Sequence, residues 1–241
     1  MFQKIQGIVL SSINYNDKYI LVQIFTDTSG RVTYMVPKTN SKSSKVSRSL
    51  FMPFALLEMD AEHRDSRDIQ RIKEAHSILP LYSIPNDISK SSMVFFLSEF
   101  LTKVLKDVNE NNNLFQYLTQ SIQVLELAEK GIANYHLVFI LNMTRFLGFY
   151  PNLEEYQQGD IFDMLNGVFV RNQPLHNHYV SRPDSLALSK LYRISYENMH
   201  LFKFSRQDRI NIINRIIEYY RIHLSDFPAI KSLDVLHELF E

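Results

Sequence analysis

The chain has 241 residues, 45% of them hydrophobic, with 26 basic and 26 acidic residues and no cysteine. That length holds one or two domains, and the composition is globular rather than disordered. The missing cysteines exclude disulfides and thiolate metal sites, and no apolar run approaches the roughly 18 residues of a membrane helix. The N-terminus lacks the long apolar region of a signal peptide, so the expectation is a cytoplasmic protein without membrane contact.

Net neutrality argues against a strong nucleic-acid binder, whose affinity is driven by phosphate neutralisation and counterion release. Charge is uneven along the chain, however. Residues 1 to 80 hold 11 basic and 8 acidic residues, and the remainder holds 15 and 18. From Thr28 to Leu57 there is no acidic residue, while Arg31, Lys38, Lys42, Lys45 and Arg48 all fall inside.

In chain order, the first 75 residues read as strands. "IQGIVLSSI" (5–13) and "YILVQIFT" (19–26) are rich in β-branched and aromatic residues and are separated by the turn "NYNDK". "DTSG" turns into "RVTYMVP" (31–37), where Val32, Tyr34 and Val36 alternate with Arg31, Thr33 and Met35, and Pro37 ends the strand. After the basic, serine-rich "TNSKSSKVSRS" come strand candidates at 50–62 and 67–75. Five short strands with short turns predict a small closed barrel.

At "HSILPLYSIPNDIS" (76–89) two prolines mark a boundary, and beyond it the period is helical. This predicts an α+β chain: a five-stranded domain over 1–78 and a helical domain over 79–241. In "SSMVFFLSEFLTKVLKDV", Met93, Leu97, Phe100, Leu101, Val104, Leu105 and Val108 form an apolar stripe. Helices follow at about 113–129 and 134–147, each stopped by a glycine. Residues 149–182 are irregular, with one small hairpin around "LNGV". A helix starts near Pro183, and the longest one opens with a Ser205–Asp208 capping pair and buries Ile210, Ile213, Ile216, Ile217, Tyr220 and Leu224.

No catalytic motif is visible. There is no glycine-rich phosphate loop, no G-x-S-x-G and no H-E-x-x-H. His176 and His178, with Asp160 and Asp163 upstream, offer a metal or hydrolase reading set against ordinary loop histidines. Glu154 and Glu155 are adjacent and diverge on any regular backbone, which is poor geometry for an acid–base pair.

The basic run has three readings: a solvated loop, a phosphate contact, or a contact with an acidic protein tail. A barrel of this kind binds single strands through basic loops and stacking platforms. The nearby aromatics Tyr15, Tyr19, Tyr34, Phe51 and Phe54 are for the most part assigned to the core, Tyr34 by its alternation with Val32 and Val36.

The ordered set Gly7-Ile8-Val9-Leu10, Phe25-Thr26, Gly30-Arg31-Val32, Lys38 and Pro53-Phe54 resembles the RecO family of DNA recombination and repair proteins. Leu114-Phe115, "RFLGFYPNL" and "HLSDFPAIKSL" extend the likeness over nearly the whole chain. The resemblance implies an OB-fold domain followed by a helical domain. It also implies a bacterial, nucleoid-associated recombination mediator that is not an enzyme. Such proteins bind and anneal single- and double-stranded DNA. They contact RecR and the acidic tail of single-stranded DNA-binding protein, in some bacteria RecF, and help load RecA.

Many relatives hold zinc with two C-x-x-C pairs after the "LGF-P-L" segment. The matching positions here are Tyr156, Gly159, Val170 and Gln173, so no zinc or other cofactor is expected, and packing by Tyr156, Phe162 and Phe169 replaces the metal. Arg31, Lys38, Lys42, Lys45 and Arg48 are the expected DNA-binding residues. Arg145, Arg215 and Arg221 are candidates for the partner tail, from charge and helical position alone. The alternative function is a protein-only assembly adaptor whose basic loop meets an acidic partner.

Overall fold

In the computed structural model, which describes residues 2–38, 46–64 and 66–239, the alternating segments form five strands. These are β1 (Phe2–Asn14), β2 (Tyr19–Thr26), β3 (Gly30–Pro37), β4 (Leu56–Glu62) and β5 (Ile69–Leu79). They close in the order β1-β2-β3-β5-β4, the expected OB-type barrel. All neighbours are antiparallel except β3 and β5. Side chains alternate between the faces of a strand. One set therefore fills the barrel: Ile5 and Val9, Val22 and Ile24, Val32, Tyr34 and Val36, Leu57 and Met59.

Two glycines are needed by this packing. A Cβ on Gly7 would collide with the side chains of Ile24 and Met59. Gly30 takes a φ of 64° in the β2–β3 turn, and a Cβ there would meet the carbonyl of Val108. The Thr26 hydroxyl fastens the turn by donating to the Gly30 carbonyl at 2.9 Å.

The fourth strand departs from expectation. It was expected from residue 50 and begins only at Leu56. Arg48–Leu50 form a 3-10 turn instead. Pro53 has no amide proton for a ladder. The buried Phe54 then turns the chain with a φ of 68°. Its N–H donates to the Val9 carbonyl at 2.8 Å, next to the bulge in β1.

By packing, the chain forms two units, one running to Leu127 and including Ile230–Leu236, the other running from Ala128 to Ala229. The first unit adds α1 (Ser83–Asn86), α2 (Ile88–Val104) and α3 (Asn112–Leu127) to the barrel. On α2 and just beyond it, Met93, Leu97, Phe100, Leu101, Val104 and Leu105 are buried as the stripe predicts, while Val108 is only part-buried. Phe115 of α3 covers Phe25 of β2, ring on ring at 6.3 Å. The Glu99 carboxylate of α2 accepts the Lys231 and Ser232 amides at the start of α7 (Ser232–Leu239).

The second unit holds α4 (Ile132–Phe146), α5 (Arg182–Lys190) and α6 (Arg206–His223), with a small sheet between α4 and α5 in sequence. The hairpin expected around "LNGV" is β6 (Ile161–Asp163) with β7 (Val168–Val170), and β8 (Tyr179–Val180) pairs with the other edge of β6. Ser205 and Asp208 form the expected capping box of α6. Ile213, Ile216, Ile217 and Tyr220 are buried as expected and Ile212 and Tyr219 join them, whereas Ile210 and Leu224, at the two ends, are only part-buried. The Tyr220 hydroxyl donates to the Ile140 carbonyl of α4 at 2.7 Å.

Candidate nucleic-acid interface

Filling the barrel with one set of side chains forces the other set outward. On β2 and β3 the outward set is Tyr19, Leu21 and Gln23 opposite Pro37, Met35 and Thr33, all part-exposed. Ile13 of β1 lies opposite Leu21 and is 60% exposed. In the loop that follows, Tyr15 is 56% exposed, while Tyr34, Phe51 and Phe54 are buried as expected of most of these aromatics. On the other side, the exposed Arg71 of β5 pairs with Met35. Apolar and aromatic residues grouped on a barrel's outside make this face a candidate contact surface.

Cations border it. The Lys38 amide donates to the Lys18 carbonyl at 2.8 Å, which places the two lysines side by side at the Tyr19 end of β2. The loop is shaped by Asn16, whose side-chain oxygen accepts the amides of Lys18 and Tyr19 at 3.0 and 2.9 Å. Arg48 is exposed on the 3-10 turn that packs beside β5. Among the described residues, no carboxylate forms an ion pair with Lys18, Lys38, Arg48 or Arg71. Elsewhere along β4 and β5 the acids of β4 meet basic side chains, although Arg71, opposite Glu62 in register, makes no ion pair among the described residues. Arg64 and Arg67 meet Glu62, Lys73 meets Asp60 at 3.7 Å, and His76 meets Glu58 at 3.1 Å.

The five residues expected to grip DNA are therefore placed unequally. Lys38 and Arg48 carry unmatched charge at the barrel surface. Arg31 is part-buried and donates Nη1 to the Thr102 carbonyl of α2 at 2.9 Å, so it also ties that helix to the barrel. Lys42 and Lys45 lie outside the described residues. Lys18, Tyr19 and Arg71 escaped the sequence reading. The alternation that places Tyr34 inside was the signal that would have found Tyr19.

The three arginines of the second unit do not share one environment. Arg215 is held by Glu218 at 2.9 Å and Asp184 at 3.6 Å, and it borders an apolar cavity between Leu141, Leu153, Phe162 and Ile216. Arg145 lies over the Tyr150 ring at 3.9 Å, a cation–π contact. Arg221 is exposed.

At Tyr156, one of the four positions that the resemblance matches to zinc-binding cysteines, aromatic rings meet. Phe169 packs edge-on against Tyr156 at 5.1 Å and Phe162 at 5.2 Å, and Phe162 reaches Tyr219 at 5.9 Å. The His176 group does not converge. His176 pairs with Asp163 at 3.3 Å, while Asp160 is turned to Arg171 at 3.6 Å. Burial pushes the Asp163 carboxyl up, but the Asn166 side chain, the Asn166 and Leu165 amides and His176 outweigh it and hold it below the usual range. Among the described residues, no group of three or more His, Asp or Glu side chains could hold a metal ion, and no helix is long and apolar enough to cross a membrane.

Two family models match this chain: recombination protein O N-terminal over residues 1–81, and recombination protein O C-terminal over residues 85–234. The DNA repair protein RecO of Azobacteroides pseudotrichonymphae is 46% identical over 241 residues, covering all of both chains. That of Bacteroides fragilis is 46% identical over 242 residues, again covering both in full. That of Flavobacterium psychrophilum is 31% identical over 239 residues, covering 98% of each. With both halves matched in order and full-length relatives at this identity, the chain belongs to the RecO family of DNA repair proteins.

Proposed function

We propose that this protein is a non-enzymatic recombination mediator. It binds single- and double-stranded DNA, anneals complementary strands, and helps RecA load onto strands coated with single-stranded DNA-binding protein. RecR, single-stranded DNA-binding protein and, in some settings, RecF are its protein partners. The observation that carries this reading is the outer face of β2 and β3. Tyr15, Tyr19, Leu21 and Met35 lie exposed or part-exposed there, with unmatched Lys18, Lys38 and Arg71 at its margins. Aromatic side chains stack bases of any sequence, and cations meet phosphates, which carry no sequence information. Lys38, Arg48, Lys42 and Lys45 extend the phosphate grip, and Arg31 contributes what its bond to Thr102 leaves free.

Annealing follows from holding one strand on this surface while a protein contact keeps the coated partner strand close, which raises its effective concentration. Arg145, Arg215 and Arg221 are the candidates for the contact with the acidic tail, Arg145 and Arg221 without a carboxylate partner among the described residues.

Changing Tyr15 and Tyr19 together to Ala tests the stacking surface. Each ring that stacks a base is worth about 1–3 kcal/mol, so losing both should lower single-strand affinity at least about thirtyfold with the melting temperature little changed. Unchanged affinity would move the strand off this face. The protein-only adaptor predicts negligible affinity of the wild type for bare DNA and salt-sensitive binding of an acidic peptide.

A further inference from the structure

Helix α3 has an unusual surface. From Asn111 to Leu125 the sequence contains no Asp, Glu, Lys or Arg, yet Asn112, Gln116, Gln120 and Gln123 of that stretch are exposed. The solvent side of a surface helix is ordinarily charged or polar with charges interspersed; here it is made of amides alone. Their spacing places them in one row along the helix. With Gln6 of β1 and Asp27 at the end of β2, this row walls an open groove of about 310 Å³. Thr119 also lines the groove, and its hydroxyl is enclosed without a hydrogen-bond partner among the described residues.

The chemistry of the groove is selective. None of the residues lining it is a cation, so it is not a phosphate site. Primary amides pair with the edges of bases, and a carboxylate accepts from the amino group of cytosine or adenine, whereas the single N3–H donor of thymine is flanked by two carbonyl oxygens that repel a carboxylate. Asp27 is fixed by the Gln6 amide, which donates to its Oδ1 at 3.0 Å. Burial raises its carboxyl above the usual range, so an amino donor in the groove would satisfy a poorly solvated acceptor.

The groove also lies in line with the DNA surface. Lys18 and Lys38 stand at the Tyr19 end of β2, and Asp27 follows its other end. Eight residues of strand separate them by roughly 25 Å. A strand gripped through its phosphates at the lysines can therefore present bases to the amides.

We propose that the groove between α3 and the Gln6–Asp27 end of the barrel is a base-reading subsite for single-stranded DNA, favouring cytosine and adenine over thymine. This rests on the single-strand reading above. It adds a preference that phosphate contact and stacking do not supply.

The test is fluorescence anisotropy with deoxycytidine and thymidine homo-oligomers of equal length, which differ at the amino-versus-carbonyl position. Wild type should bind the cytidine oligomer about five- to tenfold tighter. Asp27→Asn keeps an oxygen for the Gln6 amide but turns an acceptor into a donor, and it should erase the preference. Gln116→Ala with Gln120→Ala, at exposed positions, should shrink it without changing the salt dependence. Equal binding by wild type, or a preference that survives both variants, overturns the proposal alone. Failure of wild type to bind either oligomer overturns the single-strand reading and this one with it.

Discussion

The Tyr34 hydroxyl is fully buried in the barrel and has no hydrogen-bond partner among the described residues. Burial pushes its phenol well above the usual tyrosine range, with Asp27 adding to the effect. An enclosed polar atom without a partner costs desolvation and returns nothing. Tyr34→Phe should therefore leave stability within about 0.5 kcal/mol of wild type or raise it, as read by urea unfolding. A loss well above that would show that the hydroxyl has a bound partner. The position of Tyr34 was legible because strand alternation is strict: neighbours at Val32 and Val36 carry it inward. The same rule puts Met35 outside, as expected, and Tyr19 and Leu21 with it, although the aromatic character of Tyr19 suggests core. Arg31 was legible as a cation. Its bond to the Thr102 carbonyl, 71 residues away, was not, because a carbonyl acceptor leaves no trace in the sequence.

At the scale of elements, α1 is too short to stand by propensity and is held from outside. The Glu126 carboxylate at the end of α3 accepts the amides of Tyr82, Ser83 and Ile84 at 2.8, 2.6 and 3.0 Å. Buried Lys90 of α2 donates to the Ser83 hydroxyl and to the Glu126 carbonyl. Burial pushes the Glu126 carboxyl up, but the three amides and Lys90 prevail and hold it below the usual glutamate range. A carboxylate with a lowered folded pKa contributes fully above its unfolded value of about 4.3, and that contribution disappears as pH falls through the folded value. Glu126→Gln should cost about 1–2 kcal/mol at neutral pH, after allowance for partial exposure. The difference in melting temperature from wild type should close as the pH drops below about 4. A gap that persists in acid would assign the effect to packing instead.

The aromatic cluster around Phe162 makes a second prediction at this scale. Phe162 is 3% exposed and touches both Phe169 and Tyr219. Phe162→Ala should cost about 3–5 kcal/mol, whereas a chelator should leave the melting temperature unchanged. Melting lowered by chelator would reveal a metal. The loss of cysteines could be read from the sequence, and so could the identity of the replacing rings. The third strand, β8, could not be read, because two residues carry no periodicity.

Over the whole molecule, the change from strand to helix near residue 78 was plain, since a period of two gives way to one of 3.6. The packing boundary after Leu127 was hidden, because it depends on which helices cover the barrel, and periodicity reports only that a face is apolar. The balanced total of 26 basic and 26 acidic residues conceals a local asymmetry. On the barrel, the acids of β4 meet basic side chains, and the Lys18–Lys38 end is left unmatched. A neutral protein can therefore carry a local group of unmatched cations, and a phosphate grip of few contacts is only modestly sensitive to salt.

The most direct test of this account is the anisotropy of a labelled single-stranded oligonucleotide titrated at two salt concentrations with wild type and with Lys18, Lys38 and Arg48 changed to Ala. If three to five phosphates are met, log affinity of wild type falls with log salt at a slope of roughly −2 to −3.5, and the variant binds more weakly with a slope shallower by about 2. Tight binding of the variant with the wild-type slope would contradict the account and place the DNA elsewhere on the protein.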